Sequence, residues 1–111
     1  EHLEIYSKGM ASVVLTKEVL ERFQATDQLA SLVVSVPGTV EGILAWSMYV
    51  EQEDGTFRVH LRSKGPTVNH IAQAFGGGGH TLACGIPSVT KSQILEVDAE
   101  LKEAVKTFKK N

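Results

Sequence analysis

Apolar and polar positions alternate differently in successive parts of the chain, and each change of period marks an element. Two short apolar-rich runs, residues 3–7 and 11–15, flank Lys8-Gly9-Met10, a spacing that predicts a β-hairpin. Thr16 is placed to cap a helix running to about Phe23, with Glu18 in its first turn and Val19, Leu20 and Phe23 on one face. Asp27 offers a second cap; the apolar stretch 29–36 has no clean periodicity and fits a short helix or a buried strand, with the cap favouring the helix. Pro37-Gly38 marks a turn; residues 42–51 read as a strand, Glu53-Asp54-Gly55 as a tight turn, and residues 56–63 as the antiparallel partner. In that partner strand Phe57, Val59 and Leu61 alternate with Arg58, His60 and Arg62, which implies one buried and one wetter face.

Gly65-Pro66 breaks the strand. Thr67 is then expected to cap a short helix carrying Val68, Ile71, Ala72 and Phe75, ended by a glycine run. A compact segment follows His80 as far as Pro87. Thr90 with Gln93 three residues on forms a capping box, and Ile94, Val97, Leu101, Ala104, Val105 and Phe108 make the apolar stripe of a final amphipathic helix. Lys106, Lys109 and Lys110 in its last turn suit the negative end of the helix dipole. The whole reads as a single α+β domain, a mixed or antiparallel β-sheet with helices packed on it.

Composition narrows the functional classes. A chain of 111 residues with 42% apolar residues has enough core to fold as one domain. Its formal charge of -2 argues against a general electrostatic grip on long nucleic acid, so a nucleotide ligand would have to be held locally. The single cysteine, Cys84, cannot form an internal disulfide, which favours a reducing, cytoplasmic setting. No apolar run approaches the roughly 20 residues of a membrane helix, so no membrane is expected as a partner. The chain opens at Glu1, without methionine, almost directly on a strand-like pattern, which is read as a piece cut from something longer.

The most informative stretch is Gly76-Gly77-Gly78-Gly79-His80. One glycine would suffice to end a helix; four carry an entropic cost that a plain terminus does not require. Such a run can turn its N–H groups toward one point as a concave anion site, with His80 as a further donor, although a flexible surface loop fits the glycines alone equally well. The P-loop and dinucleotide motifs match poorly, for lack of a Lys-Ser/Thr pair and of a preceding strand. Arg62, whose planar fork suits phosphate oxygens, and Ser63 lie at the end of the strand entering the helix, from which a short turn of chain could bring them beside the glycines. Asn69 and His70 occupy that helix's first turn, and Asn69 is the better candidate for a ligand contact. His2 and His60 show no metal-ligand spacing and are taken as ordinary sheet or surface residues, and Cys84 as a buried, inert thiol. No set of Asp and His ligands fit for a two-metal hydrolytic site is present in the sequence.

The segment Gly76-Gly77-Gly78-Gly79-His80 with Ala83 and Gly85 resembles the GGGGH-x-x-A-x-G signature of the DHH-associated domain. Residues 57–64 and 68–72, and the opening residues 9–20, are similar to the corresponding parts of bacterial oligoribonuclease/adenosine-bisphosphate phosphatase members of the DHH phosphoesterase family. The resemblance implies a two-domain enzyme. An N-terminal DHH domain in cis would hold Mn2+ and hydrolyse the substrate, while this domain, binding no metal, would grip the phosphates of a short oligonucleotide or nucleotide. On that analogy Arg62, Ser63, Gly76, Gly77, Gly78, Gly79 and His80 bind substrate phosphate, with Asn69 a weaker member. Two other readings stand beside it: an accessory domain for RNA or single-stranded nucleic acid, and a docking or homodimerisation module whose glycines allow close packing.

Overall fold

The structure, a computed structural model, describes residues 2–6, 9–22 and 42–110. A hairpin of β1 (His2–Tyr6) and β2 (Met10–Leu15) leads into α1 (Lys17–Arg22), where the first helical N–H, that of Lys17, donates to Glu51 Oε1 at 2.8 Å. The expected face of that helix runs into Phe23, which lies outside the described residues, as does the predicted helix over 29–36 with its Asp27 cap. The next strand, β3 (Ala45–Glu51), starts later than the apolar pattern implies, because the Gly9 carbonyl accepts the N–H groups of both Leu44 and Ala45 before the ladder begins. A tight turn joins it to β4 (Phe57–Ser63), with Gly55 at φ +86° and Asp54 accepting from Thr56 N–H at 2.9 Å.

Then come α2 (Asn69–Ala74), β5 (Gly78–His80), β6 (Ala83–Val89) and α3 (Lys91–Lys110). The six strands form one mixed sheet in the order β1-β2-β3-β4-β6-β5. The β2–β3 pair is parallel and every other pair antiparallel, so the α+β expectation with a mixed sheet is met.

Three expectations change. The position before α2 is taken by Val68, with no side-chain capping bond, so Thr67 is not the cap; Val68 N–H is instead anchored by the Thr81 carbonyl at 2.8 Å. The glycine run does not remain a loop, because its second half enters the sheet as β5. The segment ending at Pro87 is a strand that continues through the proline to Val89. A bulge makes this possible: Phe57 pairs with Val89 and Val59 with Ile86, leaving two β6 residues, Pro87 and Ser88, opposite Arg58 alone, where a missing N–H does not break the ladder.

Helix α3 starts as predicted, Thr90 N–H donating to Gln93 Oε1 at 2.7 Å and Gln93 N–H to Thr90 Oγ1 at 3.4 Å. Its Val97, Leu101 and Val105 are buried against Tyr49, Val59, Leu61 and Ile86 of the sheet, with Ile71 and Ala72 of α2 in the same cluster. Each fully buried aliphatic of this kind stabilises the fold by about 1.5–3 kcal/mol. The other face of β2 and β3 carries a second buried cluster, Ala11, Val13, Leu15, Ile43, Trp46, Met48 and Val50.

Within the first core sits one carboxyl. Asp98 on α3 accepts from Ser47 Oγ at 2.7 Å and from Tyr49 OH at 2.5 Å, and Ser47 Oγ lies 3.1 Å from Ser12 Oγ, so one polar cluster links α3 to β2 and β3. Burial pushes the Asp98 carboxyl above its ordinary value, and the hydroxyls of Tyr49, Ser47 and Ser12 and the charge of Lys102 only partly offset this. A carboxyl raised on folding contributes stability below its unfolded pKa of about 3.9, and that contribution is lost as pH rises through the raised value. The advantage of the wild type over Asp98→Asn, followed by urea unfolding between pH 3 and pH 8, is therefore expected to be greatest at the acid end and to shrink as pH rises. Asp98→Ala, which removes the shortest acceptor of two buried hydroxyls, is expected to cost about 1–3 kcal/mol in the same experiment.

Candidate functional site: a glycine-floored sheet face

Strand β4 sorts its side chains by alternation. Phe57, Val59 and Leu61 go to the α3 core, while Arg58, His60 and Arg62 stand on the opposite face, level with Val50, Met48 and Trp46 of β3. The neighbouring strands continue the rows on that face. Arg62 is level with Ala83 of β6, and Ala83 with His80 of β5; His60 is level with Gly85, and Gly85 with Gly78. Arg62 and His80 are thus brought onto one row, but β6 runs between them. They sit two strand spacings apart, about 10 Å, and are not joined by a short turn of chain.

Beside this row is an open groove of about 480 Å3 lined by Arg58, His60, Gly77, Gly78, Gly85 and Pro87 among others. Its floor is backbone, because glycines on adjacent strands leave the pleat bare. The four glycines of the run reach this state for different reasons. Gly76, at φ +91°, ends α2. Gly77 donates to the Ala72 carbonyl at 2.7 Å and passes so close to β6 that a Cβ would lie 2.0 Å from the Gly85 carbonyl oxygen. At Gly79, φ is +139° and a Cβ would come within 2.8 Å of the Cys84 backbone. Gly78 differs: its φ is ordinary and a Cβ there would meet nothing within 4 Å. Folding explains three of the four glycines and gives no reason for Gly78.

The remaining candidates separate. Arg62 is half-buried and held by its own strand and the next, Nη1 donating to the carbonyls of Leu61 at 2.9 Å and Cys84 at 3.2 Å, so its Nε and Nη2 donors carry no bond within the described residues. Ser63 belongs to the other face: its hydroxyl donates to the Pro66 carbonyl at 2.5 Å and accepts from Gly65 N–H at 3.1 Å, which ties its single proton into the turn. Asn69 is half-buried at the start of α2, and His70 is exposed over a different groove, formed with Glu100, Glu103 and Phe108 of α3. Cys84 is buried, and desolvation pushes its thiol up against a smaller opposing pull from Arg62, which leaves it a poor nucleophile.

Sequence reasoning passed over Arg58, taken only as part of the wetter face, and His60, taken as an ordinary sheet residue. The signal was present in the alternation of Arg58, His60 and Arg62, whose three wet-face positions are all basic. Among the described residues no group of three or more His, Cys, Asp and Glu could hold a metal ion, and the groove offers guanidinium and imidazole groups, a donor set suited to anions and unsuited to Mn2+. No described helix is long and apolar enough to cross a membrane.

Residues 9–108 match the DHHA1 domain family. The chain belongs to that family. A Streptococcus mutans relative carrying the NrnA name is 40% identical over 106 residues, covering 96% of this chain and 34% of the relative. The Bacillus subtilis bifunctional oligoribonuclease and PAP phosphatase NrnA is 37% identical over 106 residues, again 96% of this chain and 34% of the relative. This DHHA1 chain therefore spans about a third of the length of those relatives. Among solved structures, an exopolyphosphatase-related protein from Bacteroides fragilis superposes with a TM-score of 0.77 at 24% identity, covering 96% of this chain and 32% of its own. The pGpG-specific phosphodiesterase PggH from Vibrio cholerae shares the fold, with a TM-score of 0.61 at 12% identity over 96% of this chain and 36% of its own.

The unequal roles of the glycines give a direct stability test. Gly77→Ala, which drives a methyl into the β6 backbone, is expected to lose about 1–3 kcal/mol in chemical denaturation. Gly78→Ala is expected to stay within about 0.5 kcal/mol of the wild type. Equal losses at the two positions would remove the distinction.

Proposed function

We propose that this chain is the substrate-gripping domain of a DHH-family phosphoesterase acting on short oligonucleotides or nucleotide phosphates, working in the cytoplasm with a DHH domain in cis. The observation that carries the reading is Gly78. It is the one glycine of the run that the fold does not require, and it lies on the floor of a groove beside basic side chains. A bare backbone there serves a ligand that must come closer than a side chain would permit.

In this reading His80 and the spare donors of Arg62 bind substrate phosphate at the two ends of one row, and the β5 backbone brings ligand and sheet into contact. Charge-assisted bonds of this kind contribute roughly 1.5–3 kcal/mol each when water is excluded. Their work is positional: a phosphate held on a rigid sheet presents the scissile bond in one orientation, which lowers the entropic part of the barrier. Hydrolysis itself, with Mn2+, belongs to the DHH domain in this proposal, in keeping with the lack of a metal-binding cluster among the described residues. The names of the NrnA relatives support oligoribonucleotides and adenosine bisphosphate as the substrate classes to try first.

Amide NMR titration with adenosine monophosphate tests the proposal. Shifts are expected at Gly78, His80 and Arg62, and both His80→Ala and Gly78→Val should weaken binding about tenfold, the equivalent of about 1.4 kcal/mol, without changing the unfolding midpoint. Shifts elsewhere, or none at millimolar nucleotide, would assign the glycines to packing.

A further inference from the structure

The groove does not coincide with the phosphate row. Arg62 and His80 are absent from its lining, which runs from Gly78 and His60 to Arg58 and Pro87 at the other end of the same face. A volume of about 480 Å3 is more than a phosphate group needs, and along β4 its lining reaches from His60 to Arg58. Along that strand Arg62, His60 and Arg58 are spaced by two residues, a step of about 6.7 Å, so the two guanidinium-bearing positions are about 13 Å apart.

We propose that Arg58 binds a second phosphate of the same substrate, so that this sheet face tracks the backbone of a single-stranded oligonucleotide and favours oligonucleotides over mononucleotides. The inference rests on the functional reading above and adds a residue and a selectivity to it. Three observations support it. Arg58 is exposed and, among the described residues, forms no hydrogen bond or ion pair, so its charge serves no described structural contact. The β6 bulge sits directly across from it, with Pro87 in the groove wall, and bulges beside a site re-aim side chains and widen the space they face. Between Arg58 and the first row the floor is Gly85 and Gly78, so nothing on β5 or β6 rises to block a strand laid along β4. The chain's charge of -2 fits a short track of this kind and not an extended basic surface.

The selectivity follows from reach. A mononucleotide anchored on the Arg62–His80 row has no phosphate left for Arg58, whereas a dinucleotide or trinucleotide places one further along the groove. The role is one of binding and specificity, with no part in bond cleavage.

The test is an amide NMR titration of wild type, Arg58→Ala, Arg58→Lys and His80→Ala with adenosine monophosphate and with 5′-phosphorylated di- and triadenylate, repeated at several salt concentrations. For Arg58→Ala the expected result is about a tenfold loss of affinity for the triadenylate, little change for the monophosphate, and a salt slope for the triadenylate smaller by about 0.7, the value of one phosphate contact on a single strand. Arg58→Lys, which keeps the charge, should restore most of the slope. An equal loss for all three ligands, or no loss for the triadenylate, overturns the second-phosphate site. The parent reading survives that outcome if His80→Ala still weakens the monophosphate, and a wild-type chain that responds to none of the three ligands overturns both.

Discussion

The approach of Gly77 to the Gly85 carbonyl is the constraint on which the rest of the site depends. Because no Cβ stands between them, the chain can leave α2 and join the sheet edge after three residues, and the Gly77 N–H closes that turn on Ala72. A larger residue would push β5 outward. The row that pairs His80 with Ala83 and Arg62 would then lose its outer member, and the groove its glycine floor. A local steric condition thus decides a feature of the whole face, since three strands must be in register for the basic groups to share it.

The opposite side of the sheet supplies the rigidity. Helix α3 is held by its aliphatic stripe and by Asp98, whose bonds to Tyr49 and Ser47 fix the helix against β3 in both position and rotation. Buried polar contacts of this sort have directional requirements that aliphatic packing lacks, so they select one docking of the helix from several of similar apolar area. Strand β3 is the immediate neighbour of β4, and its fixed placement is passed through the β3–β4 ladder to the residues that face the groove.

Much of this was legible in the residues. The hairpin over 2–15, the alternation in β4 and the Thr90–Gln93 box declared themselves, because each depends on side chains within a few positions of one another. Strand β5 did not, since glycine carries no side chain from which a strand period could be read. The order β4-β6-β5 was hidden for a different reason: nothing local to Arg62 records that Ala83 will come between it and His80. Ser63 and Arg62 look equivalent in sequence, yet the alternation puts them on opposite faces and the Gly65-Pro66 turn takes the serine's proton. Asp98, four residues after Ile94 and three before Leu101, lay on the apolar side of the final helix, and a polar residue in that position was a readable sign of a buried partner.

The brevity of β5 has a further consequence. An edge strand normally presents a row of open N–H and C=O groups on which another chain can extend the sheet, and proteins commonly cover or charge such edges. Here the outer strand is three residues long and two of them are glycine, a pairing surface too short and too weakly strand-forming to template a neighbour. The domain can therefore leave this border of the sheet uncovered, open to small solutes, without making it a point of growth for aggregates.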